Sequence, residues 1–361
     1  MSNGELQRKK MFRQHNTVSS IASIKIMGAA LIFSLLIASS ILVSYAETST
    51  ASANDWPMFR HDLTNSGYSN SNGPLTNKTL WVFNAGVFVA SSSAVSNGVV
   101  YAGTDGYIFA LNASTGSVIW NYTANALIRS SPTIEGDTLY INSNDGNIIA
   151  LNAATSQKIW NYTTGPWGSW DLSSPAVSNG MVFVGSYDGV VYALNAATGN
   201  KIWNYTVDKY TTINNTYNST TGQYGTENFT AGCRIWSTPA ISNGVVYVGS
   251  GYNVFNYETG VGYVYALDAS TGTKIWNYTV NGCVDSSPAV VDGVVYVGSW
   301  DTYVYALNAT TGSYMWRSGL GGRVSSSPAV ANGVVYIGSF DRNVYALDAK
   351  VGDESTMPPV E

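Results

Sequence analysis

The feature that most constrains the fold is a phrase of about forty residues that recurs along the chain. Its reference point is the leucine of an Ala-Leu-Asn/Asp-Ala sequence, and successive leucines are 40, 43, 73, 40 and 40 residues apart. A near-constant period, made of short apolar runs separated by Gly, Asn and Asp, is typical of a repeat architecture. The six leucines are Leu111, Leu151, Leu194, Leu267, Leu307 and Leu347.

Each unit contains four strand-like runs, which in the fifth unit are residues 286–291, 294–299, 303–308 and 313–317. Val, Tyr, Ile and Trp dominate these runs, as they do on pleated surfaces. The connectors are rich in Gly, Asn and Asp, which tolerate the positive φ angles of tight hairpins. One unit therefore predicts a four-stranded antiparallel meander, and its repetition predicts an all-β fold, a β-propeller.

The blade count follows from the last unit, which stops before its tryptophan strand. An unmatched strand of that type, residues 79–84 around Trp81, precedes the first unit. We expect this strand to complete the last blade, which would remove an exposed sheet edge and give six blades.

The phrase at 110–120 recurs at 193–203, 266–276 and 306–316, with a degenerate copy at 150–160 that has Ser156 in place of Gly. It resembles the tryptophan-docking motif of the pyrroloquinoline-quinone-like (PQQ-like) propeller repeat family, over roughly residues 56–349. That family includes quinoprotein dehydrogenases and an outer-membrane assembly lipoprotein, whose propeller the chain also resembles. The resemblance implies that the tryptophan of one blade docks on the next, at Trp81, Trp120, Trp160, Trp203, Trp276 and Trp316.

The same resemblance implies a cofactor only if the cofactor residues are present. In quinoprotein dehydrogenases, PQQ rests on a ring of two adjacent cysteines, and calcium is held by Glu, Asn and Asp. Here Cys233 and Cys283 are fifty residues apart and no calcium set can be matched. We therefore expect no metal and no cofactor, with PQQ plus calcium as the alternative. Only His15 and His61 are available for a Ser/His/Asp arrangement, so the sequence favours a non-enzymatic protein.

The N-terminal part predicts export. Residues 1–25 are basic, and residues 26–46 form an apolar segment that is either a transmembrane signal-anchor or a cleaved signal peptide. Because the basic residues precede this segment, the body is expected outside the membrane, anchored or secreted. A linker at 47–55, the propeller at 56–349 and a tail at 350–361 follow. Beyond residue 46 the net charge is −9, which argues against nucleic-acid binding.

Export permits two covalent modifications. Cys233 and Cys283 precede the inner strands of neighbouring blades, where they could form a disulfide or stay buried as free thiols. Asn-x-Ser/Thr sequences predict N-glycosylation, unless the Asn-Tyr-Thr copies are simply good outer-strand chemistry. They begin at Asn77, Asn112, Asn121, Asn161, Asn204, Asn214, Asn218, Asn228, Asn277 and Asn308.

All departures from the plain repeat fall on one face, which we call the loop-rich face. They are a loop at 165–171, an insertion at 208–232 and an enlarged turn at 251–262. Loop variation on a rigid scaffold is where function usually resides. Aspartates recur at one turn position of this face. We expect them to hydrogen-bond to the local backbone rather than to bind a cation. Arg129, Arg234, Asp285 and Arg323 are near the starts of inner strands, so we expect some of these charges at the channel mouth.

The sequence thus predicts a membrane-anchored binding or scaffold protein with a protein or glycan partner on the loop-rich face. The alternatives are a PQQ-dependent oxidoreductase and a substrate-recognition subunit of an envelope complex. The candidate binding residues are Trp167, Trp170, Arg234, Trp236, Tyr252, Phe255, Tyr257 and Arg323.

Overall fold

The computed structural model describes residues 55–69, 71, 76–164, 173–218, 223–253 and 260–352, with the main chain alone at 209–218, 223–232 and 252–253. Within these ranges, no helix has the length and apolarity needed to span a membrane. The segment at 26–46 that the sequence singles out for the membrane lies outside the described residues.

All secondary structure in the described ranges is β, and consecutive strands pair antiparallel in separate sheets. The first three sheets each have four strands. Their strands are β1 Ala94–Ser96, β2 Val99–Gly103, β3 Asp105–Asn112, β4 Val118–Leu127; β5 Thr133–Glu135, β6 Thr138–Ser143, β7 Asn147–Asn152, β8 Lys158–Thr163; and β9 Ala176–Ser178, β10 Met181–Gly185, β11 Val190–Asn195, β12 Lys201–Thr206.

A two-stranded hairpin then precedes two four-stranded sheets and one three-stranded sheet. The meander predicted for each repeat unit is therefore confirmed. The strands are β13 Lys209–Asn218 and β14 Gln223–Gly232 in the hairpin; β15 Ala240–Ser242, β16 Val245–Asn253, β17 Gly260–Asp268, β18 Lys274–Val280; β19 Ala289–Val291, β20 Val294–Gly298, β21 Tyr303–Asn308, β22 Tyr314–Gly319; and β23 Ala329–Ala331, β24 Val334–Gly338, β25 Val344–Asp348.

Burial explains why the strands of one sheet differ in sequence. In the fifth sheet, four successive residues of β21 (Val304–Leu307) are buried, because both faces of that strand pack against neighbouring sheets. The outer strand β22 alternates instead, with Trp316 buried between exposed neighbours. Near-continuous apolar runs and alternating runs are the patterns expected of strands buried on two faces and on one face.

The core consists of five clusters, and each cluster joins two sheets that are consecutive in the chain. Innermost strands of consecutive sheets also lie next to one another. The sheets therefore pack face to face in chain order, with their first strands on a common inner side, as the blades of a propeller do.

The last sheet differs from the prediction. Residues 79–84, expected to supply its fourth strand, carry no strand, and this sheet has three strands. Leu80 and Val82 are 81% and 84% exposed, and Val344 on β25 is 81% exposed. The Trp81 indole still bonds to the first sheet. The indole needs only a hydrogen-bond acceptor on the first sheet, whereas a fourth strand must pair with β25 along its length. The docking motif therefore does not by itself determine that residues 79–84 form a strand.

Candidate functional site

Six tryptophans connect the sheets. Each donates its indole Nε1–H over 2.8–3.0 Å to the carbonyl of the alanine that follows the third strand of the next sheet. Burying a large aromatic ring while satisfying its only polar atom accounts for the recurrence of tryptophan here. The pairs are Trp81–Ala113, Trp120–Ala153, Trp160–Ala196, Trp203–Ala269, Trp276–Ala309 and Trp316–Ala349.

A second donor, which the sequence reasoning missed, reaches four of these carbonyls. It is the hydroxyl of a tyrosine on the second strand of the preceding sheet, at 3.0–3.3 Å. The signal is a tyrosine in the second strand, in a Val-Val-Tyr run in three copies and in Thr-Leu-Tyr at Tyr140, which strand propensity alone already explains. These tyrosines are Tyr101, Tyr140, Tyr247 and Tyr296.

A Ser-Ser/Thr-Pro sequence precedes five of the six inner strands and has two separate roles. Its first hydroxyl stays within its own sheet, as when Ser237 Oγ bonds to both the N–H and the carbonyl of Gly249, each at 2.8 Å. Its second hydroxyl accepts a bond from the main chain of the preceding sheet. Four such bonds, of 2.9–3.1 Å, run from Ser131 N to Ser174 Oγ, Ser174 N to Thr238 Oγ1, Thr238 N to Ser287 Oγ and Ser287 N to Ser327 Oγ.

Residues 56–67, which we call the axial segment, run along the inner side of the sheets. Main-chain carbonyls of this segment accept bonds of 2.5–2.9 Å from one equivalent residue of five repeats. Inner-strand N–H groups would otherwise have no strand beside them, and buried main-chain donors require partners. The donors are Val95, Ile134, Ile241, Val290 and Val330, bonded to Trp56, Pro57, Leu63, Thr64 and Ser66.

Arg60 ties the axial segment to the last sheet. Its guanidinium donates to the carbonyls of Asn65 and Ser327, both at 3.1 Å, and to the carbonyl of Pro328. Burial lowers the pKa of Arg60 to about 10, against the opposite effect of the Asp62 carboxylate. The guanidinium therefore stays charged at neutral pH.

A cavity of about 350 Å³ lies on the axis. Phe59 of the axial segment contributes to its wall, together with two layers of inner-strand side chains. The second hydroxyls described above belong to the lower layer. Ile134 and Val290, whose N–H groups bond to the axial segment, lie three positions further along the chain, or roughly 10 Å along the strand. The upper layer is Ala90, Arg129, Trp236, Asp285 and Ser325, and the lower layer is Ser92, Ser131, Ser174, Thr238, Ser287 and Ser327.

Two arginines stack on aromatic side chains, one of which, Trp236, lines this cavity. The Arg234 guanidinium lies 4.5 Å from the ring centroid of Tyr187 and 5.3 Å from that of Trp236. Arg323 lies 5.0 Å from the ring of Trp300. Of the predicted binding residues Arg234, Trp236 and Arg323, Trp236 lines the cavity itself.

Among the described residues, Asp285 is the one carboxylate that lines the cavity. Burial raises the pKa of Asp285 to about 7, in spite of Arg234 and Trp300, which favour its charged form. Arg129 and Asp285, which the sequence placed near the starts of inner strands, both belong to the upper layer.

The two cysteines are buried as free thiols in the structure. Burial raises the pKa of Cys233 to about 11 and that of Cys283 to about 12. The Asp208 carboxylate raises the pKa of Cys233 further, and the Asp285 carboxylate that of Cys283. Thiols in such surroundings are mainly protonated and poorly reactive at neutral pH.

The remaining predicted binding residues cannot be placed in the site. Tyr252 is described only by its main chain. Trp167, Trp170, Phe255 and Tyr257 lie outside the described residues.

The glycosylation sequences differ in their surroundings. Asn77, Asn121, Asn161 and Asn204 are exposed, and Asn277 is partly exposed. The Oδ1 atoms of Asn112 and Asn308 accept hydrogen bonds from the turns that follow them. Asn214, Asn218 and Asn228 are described by their main chain alone.

The recurrent aspartates of the loop-rich face bond locally. Asp301 Oδ2 accepts a 2.6 Å bond from Tyr305 and Oδ1 accepts the Tyr303 N–H, while Asp188 accepts a bond from Tyr192. In the part of the chain that the structure describes, no three His, Cys, Asp or Glu side chains are grouped as metal ligands would be.

The described lining of the cavity does not fit PQQ with calcium. Calcium takes six to eight oxygen ligands, several of them carboxylates in most sites. The lining contains one carboxylate, whose pKa is raised by burial, and otherwise mainly hydroxyls. The two cysteines are not adjacent in the chain, and both are buried.

The sheets, the docking tryptophans and the axial arrangement define a PQQ-like propeller. A family model described as "Outer membrane protein assembly factor BamB" matches residues 70–261 and 260–355, so the chain belongs to this family. No curated protein matches the sequence.

Two solved structures illustrate the likeness. BamB from Moraxella catarrhalis is 21% identical, with 74% of this chain and 87% of that chain covered and a TM-score of 0.46. Quinohemoprotein alcohol dehydrogenase from Comamonas testosteroni is 18% identical, with a TM-score of 0.57. The match covers 75% of this chain and 50% of the dehydrogenase, so the chain spans half the length of that protein. At 18% identity, the likeness to the dehydrogenase concerns the fold alone.

Proposed function

We propose that the protein is a six-bladed, membrane-anchored propeller outside the cytoplasm that binds a protein or glycan partner with its loop-rich face and is not an enzyme. The observation that carries this proposal is the axial cavity, which lies at the starts of the inner strands. In the sequence, the loop at 165–171 and the insertion at 208–232 come shortly before inner strands. The family supports a role in the envelope, since its model is described as an outer membrane assembly factor.

The side chains around the cavity suit recognition. Arg, Trp and Tyr are the residue types enriched at binding hot spots, and Arg234 with Trp236 and Tyr187 combines all three. The cavity walls are held by hydrogen bonds between sheets. A preorganised surface loses little conformational entropy when a partner binds.

Photo-crosslinking in intact cells tests the binding face. One photoreactive residue replaces Phe340, which is 71% exposed on the loop-rich face, and a matched one replaces the exposed Thr310 in a turn of the opposite face. We expect a discrete adduct from position 340 and none from position 310. Equal adducts from both positions, or none from position 340, would overturn the assignment of the face.

The proposed anchor at 26–46 has its own test. Protease added to intact cells should remove the propeller and leave the basic N-terminal residues protected. Release of the body into the medium without protease would instead support cleavage of a signal peptide.

A substrate-recognition subunit of an envelope complex is the second candidate, because the family description is that of an assembly factor. Mild detergent extraction distinguishes the two: a recognition subunit is expected to migrate at the size of a complex. Migration as a single chain after crosslinking would count against it.

A further inference from the structure

We infer that the axial cavity binds an acidic sugar unit of the uronic acid class, with its carboxylate at Arg129 and its hydroxyls at the ring of serine and threonine side chains. This inference rests on the proposed function, because it assigns a ligand to the same face. It follows from the hydrogen-bonding capacity, the charge and the shape of the lining.

The lower layer of the cavity is rich in donors. Ser174, Thr238, Ser287 and Ser327 each accept a main-chain N–H bond from the preceding sheet. A hydroxyl that accepts such a bond keeps its own proton to donate. These side chains line the cavity, so they suit a ligand that carries several acceptor oxygens.

The upper layer contains polar atoms without partners. Trp236 Nε1 and Ser325 Oγ are buried and have no hydrogen-bond partner among the described residues. A buried polar group left unpaired costs about 1–3 kcal/mol. Both atoms are inaccessible to solvent, so a ligand in the cavity can pair with them only if the side chains of Trp236 and Ser325 turn towards it.

The charges at the axis favour an anion. The body beyond residue 46 has a net charge of −9 and only six arginines. Arg129 lines the cavity, while Arg234 and Arg323 stack on aromatic rings near it. Arg60, below the cavity, is held by carbonyls of the last sheet. Among the described residues of the lining, Arg129 is positive and Asp285 is acidic, so the preference for an anion rests on Arg129 and on the nearby Arg234 and Arg323.

Asp285 is the opposing charge in the upper layer. It shares the lining with Arg129, and Arg234 acts on it electrostatically. The pKa of Asp285 is raised to about 7, so a large part of this carboxyl is neutral at neutral pH and can donate a hydrogen bond to a ligand.

The shape of the cavity favours a single ring. Its volume of about 350 Å³ is near the lower end of small-molecule pockets, which are about 300–1,000 Å³. Phe59, Ala90 and Trp236 add apolar surface to a wall whose other side chains are polar. Aromatic surface with polar neighbours matches a pyranose, which has apolar C–H faces and polar edges.

Isothermal titration of the full chain in detergent tests the inference, with galacturonate and glucuronate as probes. Galactose and glucose are the neutral controls, and acetate is the control for a carboxylate alone. We expect a uronate to bind and the three controls to bind at least tenfold more weakly. Equal binding of the neutral sugars or of acetate would overturn the proposed ligand class.

Arg129→Gln should weaken uronate binding at least tenfold, whereas Arg342→Gln, an exposed arginine in a turn of the last sheet, should leave it unchanged. Ser325→Ala provides a second variant if Arg129→Gln fails to fold, and it should weaken binding severalfold. Uronate affinity unchanged in the cavity variants would overturn the site.

The crosslink from position 340 separates the two proposals. Absence of uronate binding together with a persistent adduct would overturn the ligand and leave the binding face in place. Uronate binding without any adduct would uphold the ligand and overturn the macromolecular partner.

Discussion

At the residue scale, each of the six sheets receives one docking tryptophan. The indole ring of Trp203 lies against the turn of the next sheet, and its N–H bonds to Ala269 at 2.9 Å. Trp203 is also part of the apolar cluster that joins the third and fourth sheets. One side chain thus contributes both apolar burial and a satisfied hydrogen bond across the interface.

Trp203→Ala should lower the free energy of unfolding by about 3–5 kcal/mol, because it removes a large buried ring and leaves a cavity. Chemical denaturation of purified protein measures the change. Ile202→Ala, at a neighbouring position that is 45% exposed, is the control and should cost far less. Equal losses for the two variants would contradict the docking role.

The carboxyl of Asp285 should make stability depend on pH. Its folded pKa, about 7, lies above the value of about 3.9 in an unfolded chain. The folded state therefore binds the proton more tightly, so the contribution of this group is largest below about pH 4 and falls as pH rises through 7.

In the wild type, this group should lower the free energy of unfolding between pH 5 and pH 8. We expect Asp285→Asn to make that decrease smaller by about 1–2 kcal/mol, allowing for solvent screening. Thermal unfolding at the two pH values measures it. Asp292→Asn, in an exposed turn of the same sheet, is the control and should keep the wild-type slope. A slope unchanged in Asp285→Asn would contradict the raised pKa.

At the element scale, the turns between the third and fourth strands are docking surfaces as well as connections. A Cβ at Gly272 would lie 2.6 Å from the ring of Trp203, and Gly272 has a φ of 72°. Gly244, in a turn of the same sheet, has a φ of 74° with open space around it. The two glycines share the conformational requirement, and only Gly272 has the ring against it.

Gly272→Ala should therefore destabilise the protein more than Gly244→Ala. The latter incurs only the left-handed strain of about 1–2 kcal/mol, whereas the former must also displace the indole. Paired urea titrations measure the difference. Equal losses would mean that the contact with Trp203 adds nothing.

The meanders and the docking tryptophans could be predicted because each is encoded locally and copied several times. The axial bonds of Arg60 could not, since a single arginine in an unrepeated segment gives no sign of the carbonyls at 327 and 328. Trp236 could be proposed from its aromatic character, but its place beside Asp285 depends on how successive sheets are arranged around the axis. The strand predicted at 79–84 depended on a partner far along the chain, and that pairing is not formed.

At the scale of the whole molecule, the axial segment connects repeats that do not touch each other. Its carbonyls bond to inner strands from the first sheet to the last. A repeat protein without such a segment has a stability that is close to a sum over neighbouring units. Here distant units share one set of hydrogen bonds, which makes their unfolding more cooperative.

Arg60→Ala should raise hydrogen exchange in β23–β25 more than in β9–β12, to which none of the axial bonds named above runs. Hydrogen bonds from a charged group are worth about 1.5–3 kcal/mol, and that loss should appear as faster opening of the last sheet. Exchange mass spectrometry measures it, with the exposed Lys274→Ala as control. Uniform acceleration across all sheets would indicate global destabilisation instead.

The axial segment also has a consequence for biosynthesis. Arg60 is among the first residues of the body to leave the ribosome, and its acceptor Pro328 is 268 positions later. At about 5–20 residues per second, roughly 15–50 seconds separate the two events. Throughout that interval the segment lacks part of its binding site. A nascent chain that stops early keeps unpaired inner strands and an unseated N-terminal segment, which are the features that proteases and chaperones recognise. Completion of the last repeat is therefore the step that distinguishes a finished molecule from a truncated one.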